Sequence, residues 1–224
     1  MPDSSPDAIA NRSAHELPYR DEVKRKALHL AALTVPLVMA LLGRTWALAV
    51  LVPAALLALA GDALRAYWPP FTQFIRRVVG PLMRADEWQA TGATFSINGA
   101  TWVLLSAVLL TFVFPLDVAV PAFVMFMVSD AAAALVGRRF GRLRWGHGPR
   151  TMEGSAAFFV VGLMVMACFP SVPFWVGAAG TACACAAEAL PRPLNDNLRV
   201  PLVAAAAMAL LEGLVLDRTV DLFL

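Results

Sequence analysis

Between residues 137 and 155 the chain reads GRRFGRLRWGHGPRTMEGS, five arginines and five glycines in one short stretch. Guanidinium groups make planar, multidentate hydrogen bonds to phosphate oxygens. Glycines let the backbone approach a ligand closely, and Thr151 is placed to cap a helix whose amino terminus favours anions. Arg138, Arg139, Arg142, Arg150 and Thr151 are therefore candidate phosphate-binding residues. The competing reading is that the arginines only touch anionic lipid headgroups. Glu153, an acid directly behind the basic loop, has no use in headgroup binding; its own plain alternative is attraction to the helix dipole.

Acids and amides elsewhere suit the same chemistry. Asp130 lies inside VMFMVSDAAAALVG, and a charge at the centre of a membrane helix costs about 2.5–3.5 kcal/mol, so something must compensate it. It precedes Gly137 by two turns, and Ala133, Ala134 and Gly137 leave room for a ligand or a second backbone. A structural ion pair with Arg138 or Arg139 is the alternative. Glu188 and the loop LPRPLNDNLRVPL bring Asn195, Asp196 and Asn197 beside Arg192 and Arg199, unless these residues serve only as caps and turns. In EVKRKALHL, Lys26 and His29 stand three apart on one helix face. Thr94, Asn98 and Thr101 share a face that lines a polar cavity or bridges helices.

The elements that position these residues follow from hydropathy. The 224 residues are 59% hydrophobic and 15% charged, with a mean hydropathy of +0.68, whereas a soluble domain carries about a quarter charged residues. Bilayer is the expected solvent. Apolar runs at 27–42, 46–64, 99–116, 118–136, 154–170, 172–190 and 200–216 predict an all-α, polytopic bundle of about seven transmembrane helices. Pro36, Pro53 and Pro121 fall inside these runs and predict kinks. Phe71, Phe74, Ile75, Val78, Val79 and Leu82 recur at helical spacing opposite Gln73, Arg76 and Arg77, the pattern of one amphipathic helix lying in the interface.

With a cytoplasmic amino terminus and seven spans, all of the 18 Lys and Arg except Arg44 and Arg218 fall on the cytoplasmic side, as insertion prefers. The carboxyl terminus then lies on the opposite side. Residues 1–20 are polar, without a signal-peptide core, and read as a disordered cytoplasmic tail; 21–224 reads as one transmembrane domain. A net charge of +2 with no basic stripe speaks against nucleic-acid binding. Cys168, Cys183 and Cys185 sit in apolar segments without metal spacing and read as packing residues. No inverted halves are visible, against a secondary transporter.

In order and spacing, EVKRKALH (22–29), GATFSINGA (92–100), SDAAAALVGRRFG (129–141), TMEGS (151–155) and EALPRPLNDNLRVPL (188–202) resemble the dolichol kinase, phytol kinase and CTP-dependent diacylglycerol kinase family over residues 22–203. The related CDP-diacylglycerol synthases share the middle motifs but end in a Gly-rich segment of which Leu216, Asp217 and Arg218 here match only the last letters, while DNL at 196–198 looks like the kinases. Arg150 stands where both groups usually carry lysine, which keeps the cation and changes its shape.

The resemblance implies transfer of the terminal phosphate of CTP to the hydroxyl of a membrane lipid alcohol at the cytoplasmic face, a prenol first and diacylglycerol next. It makes 21–224 a lipid-kinase domain. Asp130, Glu153 and Asp196 would be catalytic acids sharing Mg2+ with the phosphates. Lys26, His29, Arg138, Arg139, Arg142, Arg150, Thr151 and Asn197 would bind nucleotide, and Thr94, Asn98 and Glu188 would line the lipid cavity. A phosphatidate cytidylyltransferase and a non-catalytic transporter are the rival expectations.

Overall fold

The computed structural model describes residues 19–79, 95–146, 150–190 and 194–215. Eight helices follow one another among them: α1 (Tyr19–Ala31), α2 (Thr34–Tyr67), α3 (Pro69–Val79), α4 (Gly99–Val113), α5 (Leu116–Phe140), α6 (Met152–Met166), α7 (Phe174–Ala189) and α8 (Asp196–Val215). No strand occurs among the described residues. Three helical stretches, Val23–Tyr67, Leu116–Phe140 and Asp196–Leu214, are long and apolar enough to cross a bilayer, and Gly99–Val113 and Met152–Met166 are shorter apolar helices. The all-α membrane bundle expected from hydropathy is the fold observed.

α2 is one helical run that turns back on itself. Lys26, just before it, meets Asp130 in the carboxyl-terminal half of α5. Arg44 donates to the carbonyl of Phe114, at the opposite end of the bundle, at 2.8 Å. Asp62 returns to the amino end of α4, where it binds Asn98. The reversal falls at Gly43, with φ 71° and ψ 172°, a left-handed conformation that an L side chain resists. Glycine there separates the two expected apolar runs. Non-helical backbone inside α2 falls at Gly43, while Pro53 lies within the same helix and Pro121 within α5. Pro36 falls in the first turn of α2, where a missing N–H costs nothing.

α5 is the central post and packs against α1, α2, α4, α6, α7 and α8. Its Phe123, Met125, Phe126 and Met127 are fully buried. The outward faces are apolar as well, with Leu41, Trp46, Leu57 and Leu214 strongly exposed. In water such a surface would mark an interaction site; on a bundle of apolar helices it is the surface that meets lipid tails. α3 carries the expected amphipathic pattern, its Phe71 ring between Trp68 and Phe74 with centroids 6.4 Å apart. Leu82 of that pattern, Thr94 and residues 1–18 of the expected tail lie outside the described residues.

Candidate functional site

Two groups of charged side chains close the end of the bundle where α5 finishes and α6 begins. The first joins helices far apart in sequence. The Lys26 ammonium, 4% exposed, donates to Asp130 Oδ2 across 104 residues of chain. His29 Nε2 stands 3.5 Å from the same carboxylate oxygen, its ring edge-on to Phe126 with centroids 5.9 Å apart. Asp130 is thus compensated from α1, and not by the arginines at the end of its own helix.

The second group centres on Arg150. Its Nε donates to Glu188 Oε1 at 2.9 Å, while one terminal nitrogen holds Asp196 Oδ2. Arg199 donates to the other Asp196 oxygen at 2.6 Å and to the Leu190 carbonyl at 3.0 Å. The helices that carry the two groups pack together, α5 against α1, α6, α7 and α8. Ser155 donates to Glu188 Oε2 at 3.4 Å and accepts from the Trp145 indole at 3.0 Å.

Arg150 is positioned by a close crossing of α5 and α6. Thr151 caps α6, accepting from Gly154 N at 3.1 Å, and packs against Gly137, Gly141 and Gly154. A Cβ on Gly141 would lie 2.2 Å from the Gly137 carbonyl oxygen and 2.5 Å from Thr151 Cγ2, so no larger residue fits without displacing backbone. The arm between the helices folds back through paired backbone bonds, Trp145 N to Arg150 O at 3.0 Å and Met152 N to Leu143 O at 2.8 Å.

Glu153 fastens the other strand of this arm. Its carboxylate accepts from the backbone amides of Arg142 at 2.9 Å and Leu143 at 3.2 Å. Its own amide and those two hold the carboxyl below the usual carboxylate range. Arg139 and Arg142 are exposed, Arg138 is half-buried in the last turn of α5, and the Arg139 guanidinium sits 5.6 Å from the centre of the Phe140 ring. Arg139, Phe140, Gly141, Arg142 and Glu153 line a shallow cavity of about 400 Å³, within the range of about 300–1,000 Å³ common for ligand sites.

Of the residues singled out by sequence, the structure gathers Lys26, His29 and Asp130 in one group and Arg150, Glu188 and Asp196 in the other. Glu153 is apart from both, engaged with the arm. Among the described residues no three His, Cys, Asp or Glu side chains converge closely enough to hold a metal ion by themselves, so Asp130, Glu153 and Asp196 are not a preformed metal cluster. Asn197 is on the rim, donating to the Gly99 carbonyl at 3.1 Å. Asn98 caps α4, accepting from Ala100 N and Thr101 N, while its amide donates to Asp62 at 2.6 Å. Thr94 is outside the described residues.

Asp62 escaped the sequence reading. It is 2% exposed, and Arg65 is buried beside it at 3.4 Å. The signal was present: an acid inside an apolar run, the feature that drew notice to Asp130, here with an arginine three residues on.

No family model matches the chain, and no solved structure does. The CTP-dependent diacylglycerol kinase 1 of Schizosaccharomyces pombe is 29% identical over 218 residues, covering 86% of this chain and 94% of that protein. The proteins of the same name from Eremothecium gossypii and Saccharomyces cerevisiae are 34% identical over 113 residues and 33% identical over 104. Those two alignments cover 48% and 46% of this chain and about a third of each relative. With a match running nearly end to end and the motifs in family order, the chain is similar to the CTP-dependent diacylglycerol kinases, and these relatives support the diacylglycerol/polyprenol kinase family.

Proposed function

We propose that this protein is a CTP-dependent lipid kinase, with diacylglycerol as its foremost acceptor and prenols second. The observation that carries the reading is the pair of ion-pair groups, Lys26–Asp130 and Arg150–Glu188–Asp196, on helices that pack together in an apolar bundle, the second of them joined to the arginine-rich arm. The names of the relatives supply the donor and move diacylglycerol ahead of the prenol that sequence favoured.

Phosphoryl transfer asks the protein for positioning and charge neutralisation rather than covalent chemistry. Arg150, with its planar fork, grips the phosphates together with Lys26, and the exposed Arg139 and Arg142 receive the nucleotide from water. Arg138 adds positive charge at the base of the arm, and Thr151 holds the arm at the start of α6. Asp130 faces the lipid hydroxyl and takes its proton as the new bond from hydroxyl oxygen to the terminal phosphorus forms. The bridging oxygen–phosphorus bond breaks, and CDP leaves. His29 borders that carboxylate and fixes its direction.

The donor set suits magnesium. Asp196 and Glu188 share Arg150 and so lie around one centre, and this ion takes one or two carboxylates along with substrate phosphates. Held there, it would neutralise charge on the transferring group. Glu153 is assigned to the arm that carries the arginines. The lipid arrives sideways between helices, its hydroxyl at the cytoplasmic boundary. Seven crossings, with the amino terminus and the site cytoplasmic and the carboxyl terminus opposite, are part of this reading.

The test incubates purified protein with labelled CTP, magnesium and a panel of diacylglycerol, dolichol, phytol and phosphatidic acid. A phosphorylated alcohol with CDP is the expected result. Pyrophosphate released with phosphatidic acid would mean a cytidylyltransferase, and no product from any lipid would end the enzymatic reading.

A further inference from the structure

The Asp62 network lies outside the two groups assigned to phosphoryl transfer. Asp62 Oδ2 accepts from Asn98 N at 3.0 Å and Thr101 Oγ1 at 2.8 Å, and Oδ1 accepts from Asn98 Nδ2 at 2.6 Å. Arg65, 3.4 Å from Oδ1, donates to the Ser96 carbonyl at 2.9 Å. Every one of these donors and acceptors on α4 and its approach lies within residues 96–101. The inner arm of α2 is thereby locked to the first turn of α4.

Cohesion alone does not explain a buried charge here. Apolar residues of similar volume hold two helices at least as well as a buried ion pair, and desolvation penalises the pair. Capping does not require it either, since the Asn98 side-chain oxygen already serves Ala100 N and Thr101 N. What the network specifies is the placement of one peptide: the carbonyl of Gly99, adjacent to Asn98, accepts from Asn197 Nδ2 at 3.1 Å. Asn197 directly follows Asp196, the carboxylate held by Arg150 and Arg199. A continuous polar chain therefore runs from α2 through the start of α4 to the start of α8 and into the acid–arginine group.

We propose that Asp62 is a positioning residue, which through Asn98 and the Gly99–Asn197 bond sets the location of Asp196. This rests on the lipid-kinase reading, because Asp196 has a task only if phosphate is transferred there. A small displacement suffices for a large effect, since misplacement by about 1 Å can cost about a hundredfold in rate.

The experiment measures kcat and KM for CTP with diacylglycerol, on detergent-purified protein whose folding is checked by thermal melting. Asp62→Asn is expected to lower kcat at least tenfold with KM for CTP changed less than threefold. Thr101→Val, which removes one donor and no charge, is expected to lower kcat severalfold. In an Asn197→Ala background, where the chain of bonds is cut, each change is expected to have less than a twofold further effect. Loss that merely reflects a weakened fold would multiply in that background instead. The exchange Asp62→Asn with Asn98→Asp, which keeps the pair and a good cap, is expected to recover most of kcat.

Undiminished kcat in folded Asp62→Asn, losses that multiply with Asn197→Ala, or no recovery in the exchange would each overturn the proposal. Should Asp62→Asn not fold, Thr101→Val and its pairing with Asn197→Ala decide by the same criteria. Wild-type protein silent towards every lipid alcohol would instead sink the kinase reading, and the positioning role with it.

Discussion

At the scale of single residues, the pair Lys26–Asp130 makes stability and activity separable. Breaking a buried ion pair by removing one partner leaves an uncompensated charge, at a cost of about 3 kcal/mol or more. Asp130→Asn and Lys26→Met should each lower the melting temperature and reduce phosphoryl transfer at least a hundredfold. The double variant should recover most of the melting temperature and none of the transfer, because only chemistry needs the charges themselves. Thermal melting alongside a CTP-to-lipid assay checks this, and activity in the stable double variant would remove both residues from the reaction. Each of these two residues was visible in sequence, one as a charge inside an apolar run and the other at a helix entrance. Their partnership was not, since 104 residues separate them and no local pattern encodes such a meeting. The same holds for Asp62 and Asn98, 36 residues apart. Glu153 was legible as an acid behind a basic loop, but its partners are backbone amides, which every residue but proline carries and which therefore leave no mark in a sequence.

At the scale of elements, the arm between α5 and α6 depends on one acid and one close crossing, and these predict different failures. Glu153→Gln keeps an oxygen that accepts an amide hydrogen, so transfer should stay within about fivefold of wild type. Glu153→Ala releases the arm and should raise KM for CTP about tenfold; a collapse of kcat in Glu153→Gln would show instead that the carboxylate acts in chemistry. Acid acts on the same contact. Because the folded carboxyl lies below its ordinary value of about 4.3, the stabilisation it contributes is complete above that value and is lost only as pH falls through the lower folded value. Proteolysis of the arm should therefore be constant from pH 8 to 5 and rise only at pH below the ordinary glutamate value. Gly141→Ala acts through sterics, with its Cβ forced 2.2 Å from a carbonyl oxygen. It should separate α6 from α5 and raise KM for CTP at any pH, a result that kinetics across pH can distinguish from the Glu153 effect. Helices and their order were readable because hydropathy and length decide them in a bilayer, and the gap between the runs 27–42 and 46–64 is where the structure places the break at Gly43. Side-chain registry between helices follows from packing that hydropathy does not specify.

At the scale of the whole molecule, charge is distributed by end. Lys26, Arg65, Arg150 and Arg199 lie with the acids at one end, while Arg44 reaches the Phe114 carbonyl at the other. Basic residues are retained on the cytoplasmic side during insertion, so the acid–arginine end should face the cytoplasm, where soluble CTP is available. A native reporter stands near the opposite end: Cys168 is exposed two residues after α6 finishes. With Cys183 and Cys185 replaced by alanine, Cys168 should react with a membrane-impermeant maleimide in intact cells. With Cys168 replaced as well and Arg144→Cys introduced on the exposed arm, labelling should appear only after permeabilisation. The two positions lie on opposite sides only if α6 crosses the bilayer, so the pair tests the crossing and its direction together. Labelling of both from outside would mean that α6 does not span. The reverse pattern would put the arginines on the side without nucleotide, and a kinase drawing on cytoplasmic CTP could not be built that way.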